Sequence, residues 1–143
     1  AAALARADVA AFSDRPATSL SGGERARVML ARVLAGEPST LLADEPAAGL
    51  DPYHQLQVME LLRDLAREGR AVMVVLHDLT LAMRFCDRLI LLEQGCVAAE
   101  GDPAAVLADP AAERVFAVNL RRGDGWVLPW TRRDEQAGRG AHP

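Results

Sequence analysis

Short apolar runs alternate with longer stretches in which apolar residues recur every three or four positions. Thr40-Leu41-Leu42-Ala43 is a continuous apolar run that ends in Asp44-Glu45-Pro46, and Ala71 to Leu76 is a second, ending at His77-Asp78. Runs of this length suit strands buried on both faces, as in a parallel sheet. Between them, Val58, Leu61, Leu62 and Leu65 form a stripe at i, i+3, i+4 and i+7, the signature of an amphipathic helix. Asp51-Pro52 supplies its start, an N-cap followed by proline at the first helical position, and Gly69 its end.

Ser21-Gly22-Gly23-Glu24 predicts another helix start. The Ser21 hydroxyl can accept from the Glu24 N–H, and the Glu24 carboxylate can reach back to the Ser21 N–H. Val28, Leu30, Ala31 and Leu34 continue that helix until Gly36 and Pro38. Ala1 to Phe12 reads as the end of a helix and Ser13 to Leu20 as loop. Leu79 to Cys86 reads as a short helix and Arg88 to Leu92 as a third strand. Gln94-Gly95 turns the chain into a hairpin through Cys96 to Ala99, and Asp102-Pro103 opens a further helix. Asn119 to Trp130 reads as a final hairpin and Thr131 to Pro143 as a disordered tail. Alternating strands and helices imply an α/β fold with a parallel sheet flanked by helices.

Composition narrows the classes. With 143 residues, 50% hydrophobic and 25% charged, the chain has the usage of one globular domain. Its net charge of -4 argues against nucleic acid as a partner. No apolar run approaches the roughly 18 residues that cross a bilayer. Cys86 and Cys96 form neither a disulfide framework nor a close-spaced metal pair, and read as reduced thiols of a cytosolic protein. All the basic residues other than histidine are arginine; there is no lysine. The chain also lacks an initiator methionine, as an excised or truncated piece would.

Ligands of parallel α/β sheets bind beyond the carboxyl ends of the strands. Asp44, Glu45 and His77 lie there and should meet at one site. Asp44 suits Mg²⁺, which takes one or two carboxylates together with waters and phosphate oxygens. Glu45 suits the orientation of an attacking water. The plainer alternative is that both acids cap the strand end. The glycines after Ser21 let backbone approach an anion at a helix start; the alternative is an ordinary capped helix. His77 taken alone is better explained as a satisfied structural residue than as a catalytic one, and His54 and His142 read as exposed.

Order and spacing join these features. Leu20-Ser21-Gly22-Gly23-Glu24, a helix, a strand into Asp44-Glu45-Pro46, then Gly49-Leu50-Asp51, a helix, a strand and His77-Asp78 resembles the C-terminal half of an ABC-transporter nucleotide-binding domain. Leu20 to Glu24 matches the family's signature motif, Leu41 to Glu45 its Walker B strand and catalytic glutamate, Gly49 to Asp51 its D-loop and His77 its switch histidine. Leu42 to Pro46, Asp51 to Leu56, Val75 to Leu79, Asp87-Arg88 and Glu100 to Pro103 are similar to the ATPases of iron-siderophore, haem and cobalamin importers.

The resemblance implies a P-loop NTPase-type parallel sheet lacking the N-terminal half of its domain, since the P-loop lysine has no counterpart here. Residues 1–130 would belong to that domain. The implied ligands are ATP and Mg²⁺. The implied partners are a second ATPase subunit in a head-to-tail dimer, transmembrane permease subunits and, indirectly, a substrate-binding protein, at the cytoplasmic face of the cell membrane. Ser21, Gly22, Gly23 and Glu24 would face the ATP of the partner, and Asp51 would link the two sites. Asp44 would hold the metal, while Glu45 and His77 would be catalytic. The segment alone is expected not to hydrolyse ATP. An ABC ATPase of another transporter or non-transport type, and a short inactive partner-binding protein, are the competing readings.

Overall fold

A computed structural model describes residues 2–133 as two compact units, 2–77 and 78–133. The first unit begins with helix α1 (Ala2–Arg6) and two 3-10 turns (Ala10–Phe12 and Ala17–Ser19). The expected N-terminal helix is therefore shorter than Ala1 to Phe12, since Asp8 adopts the left-handed φ of 51° and breaks it. Helix α2 (Gly22–Leu34) follows, and Ala31 packs with Ala7 and Val9 of the N-terminal segment in a small core.

Strand β1 (Thr40–Asp44), helix α3 (Pro52–Arg67) and strand β2 (Ala71–Val75) form a β-α-β unit. The strands pair in parallel from Thr40↔Ala71 to Asp44↔Val75. The ladder runs one residue further, where the Glu45 N–H donates to the Val75 carbonyl at 3.1 Å. This register decides the site, because it brings Glu45 and the residues just after Val75 to the same end of the sheet. Helix α3 starts where Asp51 caps it, its side chain accepting from the His54 N–H, with Pro52 in the first turn. Val58, Met59, Leu62 and Leu65 are buried, Leu65 completely. The stripe is thus as expected except that Met59 replaces the half-buried Leu61.

The strands are buried on one face only. Leu41 is buried, but Leu42 is 73% exposed, Met73 59% and Val75 50%. The expectation of two covered faces is corrected: within the described residues, the apolar run that reads as double-sided burial has cover on one side.

The second unit holds α4 (Leu79–Phe85), β3 (Leu89–Glu93), β4 (Cys96–Gly101), α5 (Pro103–Ala108), α6 (Pro110–Phe116), β5 (Val118–Gly123) and β6 (Trp126–Arg132). The expected hairpins are present: β3 pairs antiparallel with β4, and β5 with β6. Among the described residues β3 therefore contributes to an antiparallel ladder, not to the parallel one. Its core is built on Leu79, Leu91, Val106, Leu107, Ala111, Ala112, Leu120 and Val127. The Thr80 hydroxyl ties α4 to β6, donating to the Val127 carbonyl at 2.7 Å and accepting from the Val127 N–H at 3.1 Å. The helix opened by Asp102 stops at Asp109, whose side chain caps a second helix at Ala111. Thr131 and Arg132 belong to β6, so the expected tail does not begin at Thr131. Its remainder beyond Arg133, with His142, lies outside the described residues. Both cysteines are free thiols. Among the described residues no helix is long and apolar enough to cross a membrane.

Candidate functional site

The residues given a site role in the sequence (Ser21 to Glu24, Asp44, Glu45, Asp51 and His77) all lie in the first unit, at or just beyond a helix start or a strand end. At the start of α2 the capping box is closed in both directions. The Glu24 N–H donates to Ser21 Oγ at 3.2 Å, and the Ser21 N–H donates to Glu24 Oε2 at 2.7 Å. The bond from Ser21 holds the Glu24 carboxyl below the ordinary carboxylate range, with Arg15 and Arg27 adding a smaller pull. Ser21 and Gly22 are exposed and Gly23 is buried. Glu24 thus spends a carboxylate oxygen on the Ser21 N–H, as the capping box predicts.

At the end of β1, Glu45 has a φ of +46°, a left-handed conformation that costs a non-glycine residue about 1–3 kcal/mol. The turn it opens is closed by the Ala48 N–H donating to the Glu45 carbonyl at 3.0 Å, and passes through Gly49 at a φ of +69°. Gln55 steadies this turn from α3, its Nε2 donating to the Ala47 carbonyl at 3.3 Å. The Glu45 carboxylate reaches the end of β2. There His77 Nε2 stands 2.8 Å from Glu45 Oε1. Both side chains remain open to solvent, His77 at 73% and Glu45 at 43%. The parallel register accounts for the meeting, since each residue leaves the sheet just past a paired strand end.

Asp44 is exposed at the end of β1. Its carboxylate has no hydrogen bond or ion pair among the described residues, and no group of three or more His, Cys, Asp or Glu gathers there that could ligate a metal alone. A single open carboxylate fits Mg²⁺, which completes its shell with waters and phosphate oxygens. The structure joins Glu45 to His77, and Asp44 stands immediately before Glu45 in the chain.

Asp51 caps α3 through Oδ1, which accepts from the His54 N–H at 3.1 Å, while Oδ2 lies 2.6 Å from His54 Nδ1. The hydrogen bond from the His54 ring, then that from its N–H, hold the Asp51 carboxyl below its ordinary range. His54, expected to be exposed, has a side chain only 22% exposed. The missed signal was the Asp51-x-x-His54 spacing, which at a helix start returns the fourth side chain to the cap, as Glu24 returns to Ser21.

The profile of the ABC transporter family matches residues 1–48. The hemin import ATP-binding protein HmuV of Rhodococcus jostii is 60% identical over 109 residues, which are 76% of this chain and 37% of that protein. The cobalamin import ATP-binding protein BtuD of Halobacterium salinarum is 48% identical over 122 residues, 85% of this chain and 31% of its own. Among solved structures, cbiO1 of Clostridium perfringens, part of the ABC transporter complex cbiONQ, superposes with a TM-score of 0.69 at 35% identity, covering 79% of this chain and 45% of its own. The chain thus spans less than half the length of each of these relatives. The ordered motifs, the β-α-β unit that presents them and these likenesses show that the chain belongs to the ABC transporter family.

Proposed function

We propose that the protein carrying this chain is the ATP-hydrolysing subunit of an importer for a metal chelate such as haem, cobalamin or an iron-siderophore. The observation that carries the reading is the 2.8 Å approach of His77 to Glu45 at the carboxyl ends of two paired parallel strands. A carboxylate and an imidazole held this close, both open to solvent, suit one water and one terminal phosphate. Glu45 would accept hydrogen-bond density from the attacking water and so raise its nucleophilicity. His77 would turn its Nε2–H from Glu45 to the γ-phosphate and stabilise charge there. Asp44 would hold Mg²⁺, in part through water. When bound there, the metal would supply positive charge against the charge that develops on the phosphate.

The signature residues serve a second site. Ser21 Oγ and the first amides of α2 would meet the γ-phosphate of ATP bound to a second subunit, arranged head to tail. Glu24 would support them by holding the Ser21 N–H. Asp51 would stand at the boundary between the two sites. Closing on ATP and opening after hydrolysis would then drive permease subunits, with the ATPase peripheral on the cytoplasmic side and a substrate-binding protein delivering cargo. Nucleic acid has no part in this reading, in keeping with the net charge of -4.

The test is transport. Vesicles containing the full-length protein and its permease should accumulate a metal chelate only with ATP and Mg²⁺ on the side of the ATPase. Chelate uptake that is indifferent to ATP would contradict the reading.

A further inference from the structure

We propose that His54 is a positioning residue that locks the start of the signature helix to the turn before α3. This rests on the reading of Ser21 to Gly23 as a phosphate-facing segment. Three contacts support it. Gly23 is buried in the first turn of α2, and a Cβ added there would lie 2.7 Å from His54 Cγ, 2.9 Å from Cδ2 and 3.0 Å from Nδ1. The ring therefore occupies the space a side chain at position 23 would need. The ring is also fixed by Asp51, whose Oδ2 lies 2.6 Å from Nδ1. A carboxylate only accepts, so Nδ1–H is the donor. Tyr53 stands edge-on to the same ring, with centroids 5.4 Å apart and planes at 82°.

On the His54 side the capping bond to the Asp51 carboxylate uses only the backbone N–H, so α3 keeps its cap when the side chain at 54 is replaced. The ring's bond to Asp51 and its contact with Gly23 are then left for a different task. They make two segments, separated in sequence by a helix and a strand, move as one. Without the ring the amides of Gly22 and Gly23 would keep their helix but lose their fixed distance from Asp51. Displacement of about 1 Å in groups that position a reacting phosphate costs up to about 100-fold in rate.

The experiment uses the full-length protein in its transporter. His54→Ala should lower kcat for ATP about 10- to 100-fold while leaving KM within about twofold, as expected for an interaction realised only in the closed state. His54→Asn, whose amide can donate to Asp51, should recover most of that loss. A second readout needs no catalysis: amide hydrogen exchange over Ser21 to Arg25, without nucleotide, should quicken in His54→Ala and not in His54→Asn. Unchanged exchange and unchanged kcat in His54→Ala, or equal losses in the two variants, would overturn the positioning role. Glu45→Gln measured in parallel separates this from the wider reading: full activity in Glu45→Gln would refute the ATPase site itself, whereas a dead Glu45→Gln beside a silent His54→Ala would refute only the role of His54.

Discussion

His77 Nε2 lies 2.8 Å from Glu45 Oε1, across the ends of two strands that pair residue for residue from Thr40↔Ala71 to Asp44↔Val75. The contact follows from register: Glu45 still donates its N–H to Val75, so the two side chains leave the sheet side by side. Glu45 itself holds a left-handed φ of +46° at this strand end.

His77→Ala should therefore impair hydrolysis in the full-length protein without disturbing the fold. His77 is 73% exposed and anchors no core, so melting should shift by less than the effect of a buried truncation. ATPase rates and thermal melts of the same preparation check this. Loss of the melt in step with loss of rate would mean a structural role.

Ser21→Arg should abolish hydrolysis while nucleotide still binds. The new side chain would occupy the exposed approach to the first amides of α2, where a second subunit's phosphate is expected. It would also remove the hydroxyl that accepts from Glu24, a loss of about 1 kcal/mol for a typical N-cap. Ser21→Ala is the control, since it loses the cap but adds no bulk. Hydrolysis in Ser21→Arg equal to that of the unmodified protein would remove the phosphate-facing assignment.

Acid should loosen both helix starts. The Glu24 and Asp51 carboxyls are held below their ordinary values, by the Ser21 N–H and by His54 respectively. Groups of this kind stabilise the fold fully above about pH 5, and that contribution is lost as the pH falls below about 4, through their lowered values. Amide exchange at the starts of α2 and α3 should therefore gain protection from pH 3 to pH 5 more steeply than at β2, once the intrinsic pH dependence is removed. Glu24→Gln should flatten that rise at α2 alone.

The parts legible in the sequence are those governed by local chemistry. The capping box at Ser21 and Glu24, the Asp51-Pro52 start and the β3-β4 turn at Gln94-Gly95 are short-range patterns, and the structure has each of them. Asp109-Pro110 carries the same start signal as Asp102-Pro103, and following it would have split α5 from α6. Burial was less legible, because an apolar run fixes what a strand could bury and not what covers it: Leu41 and Leu42 are chemically alike, yet one is 6% and the other 73% exposed. At the site, the meeting of Glu45 and His77 could be read from their places at strand ends. The contact of His54 with Gly23 could not, since it depends on where two distant segments meet.

The most direct test is Glu45→Gln in the full-length protein assembled with its permease, followed by ATP turnover and by the nucleotide retained after rapid separation. The substitution keeps size and shape and removes the base. Turnover should fall by about 10²–10⁴-fold, the typical contribution of a general base, with unhydrolysed ATP retained in the complex. Turnover within a few-fold of the unmodified protein, or a complex that retains only ADP, would contradict the assignment of Glu45 and with it the catalytic pair.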